Sequence, residues 1–236
     1  VLRHADGVIV NSSDTADSLR RFLAKLPEGL QRPIEIRTAL LGTPSFPNLP
    51  AVQDVAPRPY FIFLGTLEPR KNHLMLLNIW RSLAATEAMP PRLVLVGRRG
   101  WEIENVIDML ERCPGLQGLV EEYNDLSDMR LATLLGGARA LLLPSFAEGY
   151  GLPVAEALVL GVPVLCSNLP SFREIGGEAA EYFDPLDAMS WRQAVLDYAA
   201  PDSPRRAAQV TRIAQWGAPT WAQHFAEVET LLSDIG

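Results

Sequence analysis

From about residue 60 onward, runs of four or five consecutive apolar residues alternate with stretches in which apolar positions repeat at a helical period. The runs are Tyr60 to Leu64, Leu93 to Val96, Ala140 to Leu143 and Val162 to Leu165, each flanked by turn residues. A strand with one face in water alternates apolar and polar positions, whereas one that is apolar throughout is buried on both faces, as in parallel sheets covered by helices. Between the second and third runs, Ile103, Val106, Ile107 and Leu110 fall at i, i+3, i+4 and i+7, one stripe of a helix, and Leu74, Leu77, Leu83 and Ala84 suggest another after the first run. The alternation predicts an α/β fold, a Rossmann-like doubly wound parallel sheet. Right-handed crossovers place its ligand at the carboxyl ends of the strands.

Before residue 60 the pattern changes. Gly7 to Val10 and Ile34 to Ile36 read as strands around a helix that Ser12 or Ser13 caps before Leu19, Phe22 and Leu23. Two strands cannot hold a sheet alone, so residues 1–45 are expected to be the end of a further domain. Pro44, Pro47, Pro50, Pro57 and Pro59 then crowd into sixteen residues, which marks 46–59 as a linker. Residues 60–218 form the main domain. Trp221, Phe225, Val228 and Leu232 predict a C-terminal amphipathic helix over 219–236 that packs back toward the N-terminal part.

Of the 236 residues, 48% are apolar or aromatic and 21% charged, the make-up of a packed globular protein and not of a disordered or fibrous one. The net charge of −7 lacks the basic footprint of a nucleic-acid binder, so an anionic ligand has to be met by a few local donors. Cys113 and Cys166 fit neither a disulfide framework nor a metal spacing, and both read as structural thiols, which makes a reducing compartment, the cytoplasm, the expectation. No apolar run approaches the ~18 residues of a membrane span. A peripheral contact at the inner face of a membrane stays open.

The segment after the third apolar run, Pro144-Ser145-Phe146-Ala147-Glu148-Gly149-Tyr150-Gly151-Leu152-Pro153-Val154-Ala155-Glu156, lies where a ligand loop belongs. Gly149 and Gly151 allow close backbone approach, Pro153 suits a helix start, and the following helix N-terminus presents N–H groups to an anion. Glu148 and Glu156 are about two helical turns apart and can face one cleft. A strand-turn-helix corner with two solvated glutamates has the same spacing.

The nine residues Glu148 to Glu156 resemble the E-x7-E segment of family 4 GT-B glycosyltransferases. Gly161-Val162-Pro163-Val164, Glu174-Ile175-Gly176-Gly177 and Tyr182-Phe183-Asp184-Pro185 resemble that family's following turns, in its order. Upstream, Gly65-Thr66-Leu67-Glu68-Pro69-Arg70-Lys71-Asn72 and the mannosyltransferase-like Gly97-Arg98-Arg99-Gly100-Trp101 extend the likeness over about 60–235.

The resemblance implies the C-terminal, donor-binding domain of a retaining hexosyltransferase that uses a nucleoside-diphosphate sugar, GDP-mannose by preference. Glu148, Arg70 and Lys71 are then the catalytic residues, the two cations facing the diphosphate and Glu148 the sugar hydroxyls. Gly65, Thr66, Gly97, Gly149, Tyr150, Gly151 and Leu152 line the donor, Val120 and Glu121 the base, and Glu156 takes the ribose hydroxyl pair. A glycan or lipid-linked acceptor would bind the N-terminal domain, whose glycine-rich loop is absent here, and polysaccharide biosynthesis is the implied role. No Asp-x-Asp occurs, so no metal or other cofactor is expected, and the leaving-group charge falls to Arg70, Lys71 and the helix end.

A glycoside hydrolase, the rival for paired carboxylates, has no use for the adjacent cations. A noncatalytic nucleotide-sugar-binding or partner-docking module is the alternative from another class. His73 reads as a surface residue at a helix start. Trp101 reads equally as a surface aromatic or a wall of the nucleotide pocket.

Overall fold

The structure, a computed structural model, describes residues 4–27, 33–46 and 58–235. Most of the expected linker, 47–57, lies outside the described residues.

Six strands form one all-parallel sheet: β3 (Tyr60–Leu64), β4 (Arg92–Val96), β5 (Val120–Tyr123), β6 (Leu141–Leu143), β7 (Val164–Ser167) and β8 (Glu181–Phe183), in the order β5-β4-β3-β6-β7-β8. The chain steps outward from β3 to β5, then returns to the other side of β3 and steps outward again, so the winding reverses between β3 and β6. That reversal opens a crevice at the strand carboxyl ends. Connecting helices are α2 (His73–Thr86), α3 (Glu104–Arg112), α4 (Asp128–Gly136), α5 (Leu152–Val159) and α6 (Pro170–Gly176), followed by α7 (Ala188–Ala199) and α8 (Pro204–Ile213). Packing of α2 on α3 and of α5 on α6 is the arrangement two right-handed crossover sets give on opposite sheet faces.

The apolar runs lie where their pattern requires. Phe61, Ile62, Phe63, Leu93, Leu95, Leu141, Leu142 and Leu165 are fully buried between the helix layers, each worth about 1.5–3 kcal/mol by leaving water. The fourth run is displaced: the strand begins at Val164, because Pro163 has no N–H for the ladder and contributes only its carbonyl, to the Leu141 amide at 2.8 Å. Buried Gln209 of α8 donates to the carbonyls of Val164 (2.8 Å) and Ala179 (2.9 Å) and so ties that helix to the sheet.

The preceding segment forms β1 (Gly7–Val10), α1 (Ser13–Leu23) and β2 (Glu35–Thr38), with β1 and β2 paired in parallel. Ser12 is the cap of α1, its hydroxyl accepting from the Thr15 amide. The last helix, α9 (Trp221–Ile235), lies on β1 and β2. It does so through His224, Val228 and Leu231, of which Leu231 is buried, while Trp221, Phe225 and Leu232 of the expected stripe stay about half exposed or more.

Candidate functional site

Two loops meet at the crevice. The first leaves β3 through Gly65 and runs beside the loop after β4, joined by the Leu67 amide to the Arg98 carbonyl and the Gly100 amide to the Leu67 carbonyl, both 2.9 Å. A Cβ on Gly97 would stand 1.9 Å from the Gly65 carbonyl oxygen, so the two loops require glycine there. The first loop then makes a 3-10 turn over Pro69–Lys71 and passes through left-handed Asn72 into α2. Its Arg70 carbonyl accepts from the Phe146 amide at 2.8 Å, which fastens it to the loop after β6.

Glu148 stands at the centre of that junction. One carboxylate oxygen accepts from Lys71 Nζ and from Ser145 Oγ at 2.8 Å; the other accepts from Arg70 Nη1 at 2.8 Å. Arg70 also pairs with Glu68 at 2.6 Å and donates to the Ala147 carbonyl at 2.8 Å. Burial by itself pushes the Glu148 carboxyl up, but Lys71, Arg70 and Ser145 outweigh it and hold it below the usual carboxylate range. Burial acts against the Arg70 charge too, and Glu148 with Glu68 more than offsets it. The sequence-predicted trio of Arg70, Lys71 and Glu148 is therefore one ion cluster. Lys71 is buried, and Arg70 is open to the crevice with 44% of its side chain exposed.

The glycines beyond Glu148 serve different needs. Gly151 is left-handed (φ 107°), and a Cβ there would sit 2.7 Å from the Phe172 ring, so the fold alone demands it. Gly149 is neither left-handed nor crowded, since the nearest atom to an added Cβ is 3.9 Å away. No side chain caps α5, whose first turn opens on this loop. Tyr150 points its side chain inward, donating to the Leu41 carbonyl at 2.6 Å, and burial pushes its hydroxyl up to about 12. Leu152 and Thr66 are exposed.

The two glutamates of the motif stand in different surroundings. Glu156 lines a cavity of about 330 Å³ with Phe46, Asp128, Leu131 and Leu135, and burial, reinforced by Asp128, pushes its carboxyl up.

Val120 and Glu121 do not reach the crevice. Val120 pairs with Leu93 near the amino ends of the strands, and Glu121 is bound to Arg92 (2.5 Å) and the Tyr123 hydroxyl (2.8 Å). The carboxyl edge there carries Tyr123 and Asn124, and beyond it Arg98, Arg99, Asn124 and Asp125 line an open cleft of about 500 Å³. His73 is no surface residue. It is 1% exposed, packs edge-on to Phe63 with ring centres 4.2 Å apart, and burial lowers it to about 4; the Glu68 carbonyl nearby lies outside hydrogen-bonding geometry. Trp101 is 61% exposed. Cys166 is buried and Cys113 half-buried, both free.

Sequence reasoning missed Ser145, Ser171, Glu68 and the second bond of Ser12. Ser145 and Glu148 have the i, i+3 spacing of a local hydroxyl-carboxylate pair, a signal that was present; Ser12 and Ser171 have none, because their partners are distant in sequence. Among the described residues no three His, Cys, Asp or Glu side chains are grouped to hold a metal ion, and no helix is long and apolar enough to cross a membrane.

Comparison with known proteins adds three findings. Residues 48–209 match the family described as Glycosyl transferases group 1. O-antigen chain mannosyltransferase B of Escherichia coli is 36% identical over 175 residues, 73% of this chain and 46% of that protein, and the serotype-specific mannosyltransferase WbdA of the same species is 31% identical over 197 residues, 76% and 23%. The chain thus spans less than half the length of these relatives. Sucrose-phosphate synthase from Thermosynechococcus elongatus superposes with a TM-score of 0.71 at 21% identity over 99% of this chain and 59% of that one, a likeness of fold.

Proposed function

Because this chain belongs to the group 1 glycosyl transferases, we propose that it carries the donor-binding part of a retaining transferase that moves mannose from GDP-mannose to a glycan or lipid-linked acceptor in polysaccharide assembly. The observation that carries this reading is the ion cluster at the winding reversal, where a buried Lys71, an open Arg70 and Glu148 converge beside the uncapped start of α5. A fork of guanidinium donors and a second, buried cation behind it suit a diphosphate, and the helix start adds partial positive charge to the same leaving group, so its departure needs no metal ion. Glu148, kept ionised by its neighbours, accepts from sugar hydroxyls. Glu156, in the apolar cavity beside α4, takes the ribose hydroxyl pair.

The mannose assignment leans on the relatives, which are named as an O-antigen chain mannosyltransferase and a serotype-specific mannosyltransferase. The two free cysteines, Cys113 and Cys166, fit an enzyme of the reducing cytoplasm, where it would meet membrane-linked acceptors from outside the bilayer.

Calorimetric titration of this chain with GDP, UDP and ADP tests the reading. GDP is expected to bind most tightly, and Arg70→Ala to weaken GDP far more than guanosine. Undetectable heat with all three nucleotides sinks it.

A further inference from the structure

Two consecutive peptide units of the loop after β6 are held by hydroxyls from separate helices. The Glu148 carbonyl accepts from Ser171 Oγ of α6 at 3.1 Å; the Gly149 carbonyl accepts from Ser12 Oγ at 2.5 Å and from Thr15 Oγ1 of α1 at 3.2 Å. Ser12 and Ser171 are fully buried, so water offers neither hydroxyl a competing partner. Ser12 accepts the Thr15 amide as the cap of α1 and has one proton to donate, for which the Gly149 carbonyl at 2.5 Å and Thr15 Oγ1 at 2.8 Å are both in reach; with that proton on the carbonyl, the Ser12 oxygen can in turn accept from the Thr15 hydroxyl. These bonds are anchored from outside the loop, since Ser13 donates through its amide (2.8 Å) and its hydroxyl (2.7 Å) to the Glu174 carboxylate of α6 and thereby docks α1 on that helix.

The peptide bonds here are trans, and in a trans unit the carbonyl and the N–H that follows it point in opposite directions. Fixing the Glu148 carbonyl therefore aims the Gly149 N–H away from Ser171, and fixing the Gly149 carbonyl aims the Tyr150 N–H away from α1. Gly149 supplies no stiffness of its own: it is exposed and uncrowded, the residue type with the most backbone freedom to lose.

We propose that Ser12 and Ser171 are positioning residues for the nucleotide-sugar, holding the Gly149 and Glu148 carbonyls so that the Tyr150 and Gly149 amides face the donor. This rests on the donor reading above and extends it, because it makes the N-terminal segment part of the donor site across 137 residues of sequence. Without either hydroxyl the loop visits other peptide orientations, and the ligand binds only the fraction still correctly set.

The test is calorimetry with GDP-mannose on the wild-type chain and on Ser12→Ala, Ser171→Ala, Ser12→Thr and Ser203→Ala. Ser203 is also a buried helix cap, accepting from the Arg206 amide at the start of α8, but makes no bond to the loop. Ser12→Ala and Ser171→Ala are each expected to weaken binding about five- to tenfold, Ser12→Thr to restore it, and Ser203→Ala to lose thermal stability like Ser12→Ala while binding as wild type does. Unchanged affinity in Ser12→Ala, or an equal loss in Ser203→Ala, overturns the proposal. Should Ser12→Ala not fold, Ser171→Ala decides, and unchanged affinity there overturns it equally. A wild-type chain that binds no nucleotide at all removes the donor reading itself, and this role with it.

Discussion

Glu156 and His73 show opposite outcomes of burying an ionisable side chain. The Glu156 carboxyl is pushed up by burial and by Asp128, so it stabilises the fold while protonated, and that contribution is lost as pH rises through its raised folded value. Glu156→Gln is therefore expected to melt higher than wild type at pH 7 and equally near pH 4, yet to bind GDP more weakly by about 1–3 kcal/mol through loss of an acceptor. Thermal scans at both pH values, with calorimetry, check the pair of effects. His73, lowered to about 4, stays neutral while the unfolded chain takes a proton below about pH 6.5, so stability falls as pH drops through that window, by about 3 kcal/mol at pH 4. Urea titrations from pH 7 to 4 should show His73→Leu with a flatter profile; identical profiles would refute the assignment. Residue types and spacing located Arg70, Lys71, Glu148 and Glu156 in sequence. They could not tell that His73 turns inward, because a residue next to Asn72 at a helix start reads as solvated until the helix is seen to start beneath Phe63.

Element boundaries were legible wherever burial on both faces wrote an unbroken apolar run, as in β3, β4 and β6. The two edge strands escaped. β5 reads Val-Glu-Glu-Tyr and β8 Glu-Tyr-Phe, since an edge strand is half in water and carries charge against further pairing. The positions expected at the base, Val120 and Glu121, lie short of the crevice for that reason: with β5 unread as a strand, its direction was unknown, and the carboxyl end of the segment could not be told from its start. The junction between the loops after β3 and β4 has its own test. Gly97→Ala puts a methyl group 1.9 Å from the Gly65 carbonyl oxygen, which forces the loops apart and costs about 2 kcal/mol or more. Chemical denaturation reads that loss. A neutral substitution would mean the loops do not approach as described.

The whole molecule consists of the six-stranded sheet with its helices and a smaller unit, β1, α1 and β2, that α9 covers. Arg37 of β2 pairs with Asp234 (2.6 Å) and Glu227 (3.6 Å), and the Thr43 amide donates to the Pro219 carbonyl at 2.9 Å. Removal of residues 220–236 is expected to speed hydrogen exchange in 7–10 and 35–38 while the amides of β3, β4 and β6 stay protected; uniform loss of protection would show the two units to be one cooperative body. The bonds that assemble the site are long-range: Lys71 waits for a partner 77 residues later and Ser13 for one 161 residues later. At a synthesis rate of about 5–20 residues per second, the first turn of α1 exists for about 8–32 s before Glu174 is made. Closing such spans costs entropy that only the finished sheet recovers. The site accordingly cannot close before Glu174 is made, and a ligand can act on it only as a selector of chains grown past that residue, never as a template for shorter ones.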